Sequence, residues 1–202
     1  MDEEQLIQAA KRGDLDAFNR LVITYQGLAF NVALRLLSDP SAAEDVTQDA
    51  FLAAYKNLRN CRGGSFKAWL MRIVTNGAYD ELRRQKRRPQ TDLDKNNDEG
   101  DPDDHSAWLA DPGESPQELA ERVEIGNAIQ RCLSELDLEF RTAVVLIDVQ
   151  GMDYAEAAET MQRPLGTVKS RLARARARLQ ECLRGFEELL PQQFRLKKEG
   201  IV

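Results

Sequence analysis

Residues 152–179 read MDYAEAAETMQRPLGTVKSRLARARARL. The pattern predicts two short helices joined by a tight turn. The first, about Tyr154 to Met161, is rich in alanine and carries Glu156 and Glu159. The second begins near Pro164 and carries Lys169, Arg171, Arg174, Arg176 and Arg178, with no acidic residue among them. A small-residue support helix, a short turn and a basic second helix are what a helix-turn-helix requires. Its second helix must enter a major groove, and its charge must meet phosphates. Thr167, Lys169, Ser170, Arg171 and Arg174 fall on the outer face, while Val168, Leu172 and Leu179 are expected inside. The early residues of such a helix usually reach base edges and the later ones phosphates. Lys169, Ser170 and Arg174 are therefore base-edge candidates, and Arg171, Arg176 and Arg178 backbone candidates. Arg171 has a second reading, as a structural partner for a carboxylate of its own domain.

Outward from this stretch the pattern stays helical. Leu15, Phe18, Leu21, Val22, Tyr25, Leu28, Val32 and Leu36 recur at spacings of three and four, which makes one apolar stripe. Asp39-Pro40-Ser41 interrupts it, and the Ser41/Glu44 spacing predicts a capping box for the next helix. That helix would bury Val46, Phe51, Ala54, Tyr55 and Leu58. Gly63-Gly64 marks a loop, and Ser65 is the expected N-cap of a third long helix, Phe66 to about Arg88. Helices are also expected over about Gln117 to Leu136 and Leu138 to Val149. No segment sustains period-two alternation, so the fold class is all-α. The expected organisation is a first helical domain over 1–88, an acidic linker over 89–116, a second domain with the helix-turn-helix over 117–185, and a tail over 186–202.

The 202 residues carry a net charge of −6, which at first argues against nucleic acid. The charge is segregated, however. Arg83, Arg84, Lys86, Arg87 and Arg88 form one basic cluster and Arg163 to Arg178 another, with the acidic run Asp92 to Glu124 between them. Local sign governs an interface. The linker, polar apart from Trp108 and Leu109, is expected to be a flexible polyanion. No apolar run is long enough to span a membrane, and the acidic start MDEEQLIQAAKRGD does not resemble a secretory signal. Cys61, Cys132 and Cys182 are dispersed and odd in number, and with the lone His105 they offer no metal-ligand spacing. They are expected to be reduced thiols in a cytoplasmic protein. Nothing assembles a catalytic site, so neither an enzyme nor a cofactor is expected.

Further residues carry a resemblance. They include Gly13-Asp14, Ala17-Phe18, the run Ala43 to Phe51 (AEDVTQDAF), the run Ser65 to Asn76 (SFKAWLMRIVTN) and the basic stretch to Arg88. In the second half they include Leu133 to Leu136, Gly151, Tyr154 to Ala158 and Pro164 to Leu172. In this order and spacing the chain resembles a bacterial RNA polymerase sigma factor of the extracytoplasmic-function group in the sigma-70 family. The resemblance covers about Gly13 to Leu183.

The resemblance implies a promoter-recognition subunit with core RNA polymerase and promoter DNA as partners, held in check by an anti-sigma factor. Asp45, Gln48, Asp49 and Leu52 would face the clamp helices of the polymerase. Asn60, Cys61, Arg62, Gly63, Gly64 and Ser65 would form the loop that captures a −10 base. Phe66, Lys67, Trp69 and Asn76 would lie beside it, Trp69 mainly in the core. Arg83, Arg84 and Arg87 would track phosphates, and the second domain would read the −35 element through Thr167, Lys169, Ser170, Arg171, Arg174, Arg176 and Arg178. The competing reading is a stand-alone regulator with a C-terminal helix-turn-helix and an N-terminal sensor or dimerisation domain. A plainer one is a helical interaction protein that binds no DNA.

Overall fold

The computed structural model describes residues 2–61, 65–87, 115–186 and 188–189. Among them the regular structure is helical throughout. Helix α1 (Glu3–Lys11) starts at Asp2, whose carboxylate accepts from the Gln5 amide, and it buries Ile7, Ala9 and Ala10. Helix α2 (Leu15–Leu37) is capped by Asp14 and buries Phe18, Leu21, Tyr25, Ala29, Val32, Ala33 and Leu36. Leu15, at the head of the expected stripe, is 57% exposed, because the buried face begins one turn later.

Helix α3 (Pro40–Asn57) is capped by Asp39, which accepts from the Ala42 amide at 3.1 Å, with Pro40 in the first turn. The expected Ser41/Glu44 box is therefore not the cap. Proline already has the φ that the first turn needs and lacks the amide that would be orphaned there, so the helix starts earlier. Val46, Phe51, Ala54 and Leu58 are buried as expected. Tyr55 is half out, its ring edge-on to Phe18 at 5.0 Å. A short 3-10 turn (Leu58–Asn60) follows.

Helix α4 (Phe66–Arg87) begins after Ser65, whose hydroxyl accepts from the Ala68 amide at 3.2 Å. It supplies the centre of the core through Phe66, Leu70, Met71, Val74 and Ala78.

In the C-terminal half, α5 (Pro116–Glu135) opens on a Ser115/Glu118 capping box. Helix α6 (Leu138–Val144) runs into a wider turn over Val145–Val149. Gly151, at φ +63, reverses the chain where a side chain would be strained. Then come α7 (Tyr154–Met161) and α8 (Leu165–Arg184). The C-terminal tail is described only at its start, where Phe186 lies 6.0 Å from the Arg131 guanidinium. The linker with Trp108 and Leu109, and the tail beyond Leu189, lie outside the described residues.

The expected set of three reduced thiols is corrected. Cys132 of α5 and Cys182 of α8 form a disulfide, with Cα atoms 5.7 Å apart. Cys61 alone is a free thiol, and it is buried. Fifty residues separate the bridged pair, so the pairing depends on α5 and α8 lying side by side, which spacing along the chain does not disclose.

The two halves pack into one continuous core. Arg141 of α6 donates to the Leu36 carbonyl at the end of α2 (2.6 Å) and to the Ser134 and Leu136 carbonyls at the end of α5 (2.5 and 3.2 Å). A guanidinium is well suited to gathering helix C-terminal carbonyls. Burial lowers the pKa of Arg141 and of Arg35. Arg35 donates to Gln130 of α5 at 2.9 Å.

Candidate nucleic-acid interface

Helices α7 and α8 form the expected helix-turn-helix. Asp153 accepts from the Ala155 and Glu156 amides, both at 2.8 Å, and Glu156 reaches back to the Asp153 amide at 3.3 Å. Three backbone amides are thereby satisfied around a capping box. Gln162 adopts a left-handed φ of 51° and closes α7. Pro164 then precedes α8, whose inner face buries Val168, Leu172 and Ala175, while Leu179 packs against the core from partial burial.

The outer face of α8 separates into two groups. Lys169, Ser170 and Arg174 are exposed. Lys169 sits 5.5 Å from the Tyr154 ring centre, a cation–π contact that holds the ammonium over α7. The Ser170 hydroxyl donates to the Thr167 carbonyl at 2.9 Å, and Thr167 is half-buried. The second group is engaged within the protein. Arg171 is only 17% exposed and lies 2.5 Å from Glu139 of α6, which also receives Arg163 at 3.3 Å. Arg176 makes a two-pronged pair with Asp148 (2.6 and 3.0 Å), and that hydrogen bond raises its pKa. Arg178 pairs with Asp137 at 2.7 Å and lies 4.8 Å from the Phe140 ring centre. The structure therefore places Arg171 in its second reading, as a structural partner. It also gives the two later arginines carboxylate partners that the sequence reading did not name.

The N-terminal candidates also divide. Asn60 and Asn76 are exposed, and Arg62, Gly63 and Gly64 lie outside the described residues. Cys61 is buried, its carbonyl accepts from Lys11 Nζ at 2.6 Å, and desolvation pushes its thiol pKa up. Phe66, 1% exposed, is core, with its ring 5.5 Å from Tyr25 and 5.8 Å from Trp69. Trp69 is buried beside it. Cys61, Phe66 and Trp69 therefore cannot touch a base in this arrangement, a correction to their place beside the −10 loop. Stacking needs an exposed ring. Ser65 and Lys67 meet Glu156 of α7, at 3.1 and 3.8 Å. Arg83 and Arg84 are exposed and pair within their own helix with Asp80 and Glu81, while Arg87 is exposed at its end.

On α3, Asp45, Gln48, Asp49 and Leu52 all face outward, and Leu52 is 57% exposed. Carboxylates, an amide and an aliphatic edge thus share one accessible helix face at spacings of three and four.

A family model described as Sigma-70 region 2 matches residues 21–88, and one described as Sigma-70, region 4 matches residues 126–179. The chain is 38% identical to RNA polymerase sigma-H factor of Pseudomonas aeruginosa, over 90% of this chain and 93% of that protein. It is 34% identical to the ECF RNA polymerase sigma factor SigW of Bacillus subtilis, over 88% and 95% of the two chains. The chain belongs to the extracytoplasmic-function group of the sigma-70 family. Among solved structures, this sigma factor resembles CnrH in complex with the cytosolic domain of CnrY. The TM-score is 0.64 and the identity 30%, over 91% of this chain and 97% of the other. It also resembles RpoE of Bartonella quintana in complex with the anti-sigma factor NepR. Here the TM-score is 0.60 and the identity 25%, over 82% and 96%.

Sigma factors are not enzymes, and the region 2 match occupies the part of the chain that the regulator reading assigned to a sensor. No helix among the described residues is long and apolar enough to cross a membrane. Residues that the sequence reading passed over now stand out. Glu139, Asp148 and Asp137 partner the arginines of α8, and Tyr154 lies under Lys169. A signal existed only for Glu156, whose capping-box spacing from Asp153 is visible in the chain.

Proposed function

We propose that this sigma factor binds core RNA polymerase, recognises promoter −10 and −35 elements and initiates transcription, with binding energy opening the duplex. Core binding is assigned to the α3 face formed by Asp45, Gln48, Asp49 and Leu52. Reading of the −10 element is assigned to Asn60, Arg62, Gly63, Gly64, Ser65 and Lys67 with Asn76, and phosphate tracking to Arg83, Arg84 and Arg87. Reading of the −35 element is assigned to Thr167, Lys169, Ser170 and Arg174. Arg176 and Arg178 would reach phosphates only by exchanging Asp148 and Asp137 for them. Residues 1–88 and 117–185 are taken as the two domains, 89–116 as the acidic linker and 186–202 as the tail. The observation that carries the reading is the presence in one chain of a region 2 match with an exposed α3 face and a region 4 match with a helix-turn-helix.

CnrH and RpoE were both captured with protein partners, RpoE's being an anti-sigma factor. Control of this chain by an anti-sigma factor is proposed on that likeness. The cytoplasm, where polymerase and promoter meet, is its place of action.

Purified core polymerase with this chain should give run-off transcripts from specific promoters, and core alone should not. A chain that binds duplex DNA tightly by itself, without affinity for core in competition with another sigma factor, would overturn the reading.

A further inference from the structure

Helix α1 lies ahead of the region 2 match, which begins at residue 21. It is nevertheless built into the N-terminal helices. Ile7, Ala9 and Ala10 are buried, and Glu3 accepts a hydrogen bond from the Tyr25 hydroxyl of α2. At the last residue of α1, Lys11 Nζ donates to the Cys61 carbonyl at 2.6 Å, across 50 positions of chain. Gly13, at φ +98, then turns the chain toward α2.

Cys61 is the residue on which this bond acts. It follows the 3-10 turn, its amide donates to the Leu58 carbonyl at 3.1 Å, and it is only 5% exposed. In a residue so covered, a carbonyl that loses its partner is costly, and a bond from an ammonium is about twice as strong as a neutral one. The peptide unit is planar. Holding the carbonyl therefore holds the ψ of Cys61, which is 90°, and with it the direction in which the chain leaves the turn.

Asn60, exposed and assigned above to the −10 element, is the neighbour of this fixed point. Ser65, on the other side, is supported differently: its hydroxyl caps α4 by accepting from the Ala68 amide at 3.2 Å. That support is local, between residues three apart. The support at Cys61 comes from a helix far away in the chain. A side chain that reads a base must be held within about 0.5 Å of its working position, so a displaced support changes what it reads. Lys11 is itself half-buried, with its ammonium committed to a carbonyl, which distinguishes it from the exposed cations assigned to phosphates.

We propose that Lys11 is a positioning residue for recognition of the −10 element, acting through the Cys61 carbonyl on the orientation of Asn60 and of the chain that leaves the turn. Cys61, too buried to touch a base, is the fixed point beneath the reader, and α1 is the brace that holds it. The inference rests on the −10 assignment proposed above.

The test uses the full chain with Lys11→Met and Lys11→Arg. Methionine keeps an unbranched stem and helix propensity without the ammonium, and arginine keeps a cationic donor. Transcription by core polymerase from a promoter pool randomised across both elements reads base preference. Alkylation by iodoacetamide without reductant reads access to Cys61, whose thiol is free while Cys132 and Cys182 are bridged. In Lys11→Met, the ratio of preferred to other bases at one −10 position should fall about three- to tenfold, the scale of one lost charge-assisted hydrogen bond. Cys61 should be alkylated about five- to tenfold faster, through more frequent local opening. Preference at −35 and affinity for core should stay within about twofold, since those sites share no partner with Lys11. Lys11→Arg should recover most of both changes. If Lys11→Met lost helical circular dichroism, Lys11→Gln, a good helix former with a shorter reach, would take its place with the same expectations. An unchanged −10 preference, whatever the alkylation rate, would overturn the proposal. So would equal loss at every −10 and −35 position, or a lower salt slope with preference intact, which would make Lys11 a phosphate ligand. Absence of specific transcription by the wild type with core would instead overturn the sigma-factor function.

Discussion

Arg171 offers a sharp test of how α8 divides its work. Its guanidinium lies 2.5 Å from Glu139, with the two side chains 17% and 48% exposed. Exposed ion pairs contribute about 0–1 kcal/mol, and breaking a fully buried pair costs about 3–5 kcal/mol. One covered partner and one half-covered partner put this pair between those limits. Arg171→Ala should therefore destabilise the protein by about 1–2 kcal/mol, part of it through lost packing of the aliphatic stem. Urea melts of the wild type, Arg171→Ala, Glu139→Gln and the double variant should close a cycle with coupling near 1 kcal/mol. The same variants, assembled with core polymerase, should be tested on a −35-dependent promoter over a range of salt. Arg174→Ala should weaken binding by about 1–3 kcal/mol and relax preference at one base pair, while leaving urea stability within about 0.5 kcal/mol; only loss of a phosphate contact would lower the log–log salt slope by about 0.9. Arg171→Ala should leave the slope unchanged. If Arg171→Ala instead lowered the slope by about 0.9 and left the urea midpoint where it was, Arg171 would be a phosphate ligand and the structural role would be refuted.

Three further outcomes are expected. Phe66→Ala should cost about 3–5 kcal/mol in a urea melt, as removal of a buried aromatic does; a cost near zero would return Phe66 to the DNA-facing set. Reducing the Cys132–Cys182 bridge, which closes a span of 50 residues, should lower stability by up to about 4 kcal/mol in melts with and without a thiol reductant. Asp45→Ala combined with Gln48→Ala should weaken binding to core in a competition assay with helical content unchanged; unaltered affinity would remove the α3 face from the polymerase interface.

The chain made its helices legible because their apolar residues recur at helical spacing. The helix-turn-helix was legible residue by residue: Val168 and Leu172 are inside and Lys169, Ser170 and Arg174 outside, as the pattern requires. What stayed hidden depends on tertiary neighbours. Arg171, Arg176 and Arg178 look alike along α8. Only the approach of Glu139, Asp148 and Asp137 from other parts of the chain distinguishes them from Arg174. The resemblance set Phe66 and Trp69 beside the −10 loop, and burial of Phe66 against Tyr25 and of Trp69 against Phe66 puts both in the core. The start of α3 was misplaced by one cap because Asp39 and Ser41 are both good N-caps, and Pro40 between them favours the earlier one. Helix α1 was not anticipated, since its apolar face is short and mostly alanine.

The disulfide has a mechanical consequence for recognition. Cys182 lies eight positions beyond Arg174 on α8, which is about 12 Å along the axis, on the side away from the turn that joins α7 to α8. The helix is thus held like a blade by its handle: the covalent anchor grips the distal end, and the reading edge near Lys169 and Ser170 is shaped by packing, by Tyr154 and by the Arg171–Glu139 pair. A change of redox state would alter how long the blade stays mounted without changing its edge. Thiol chemistry at this site would tune the lifetime of the −35 reader and leave its base preference untouched.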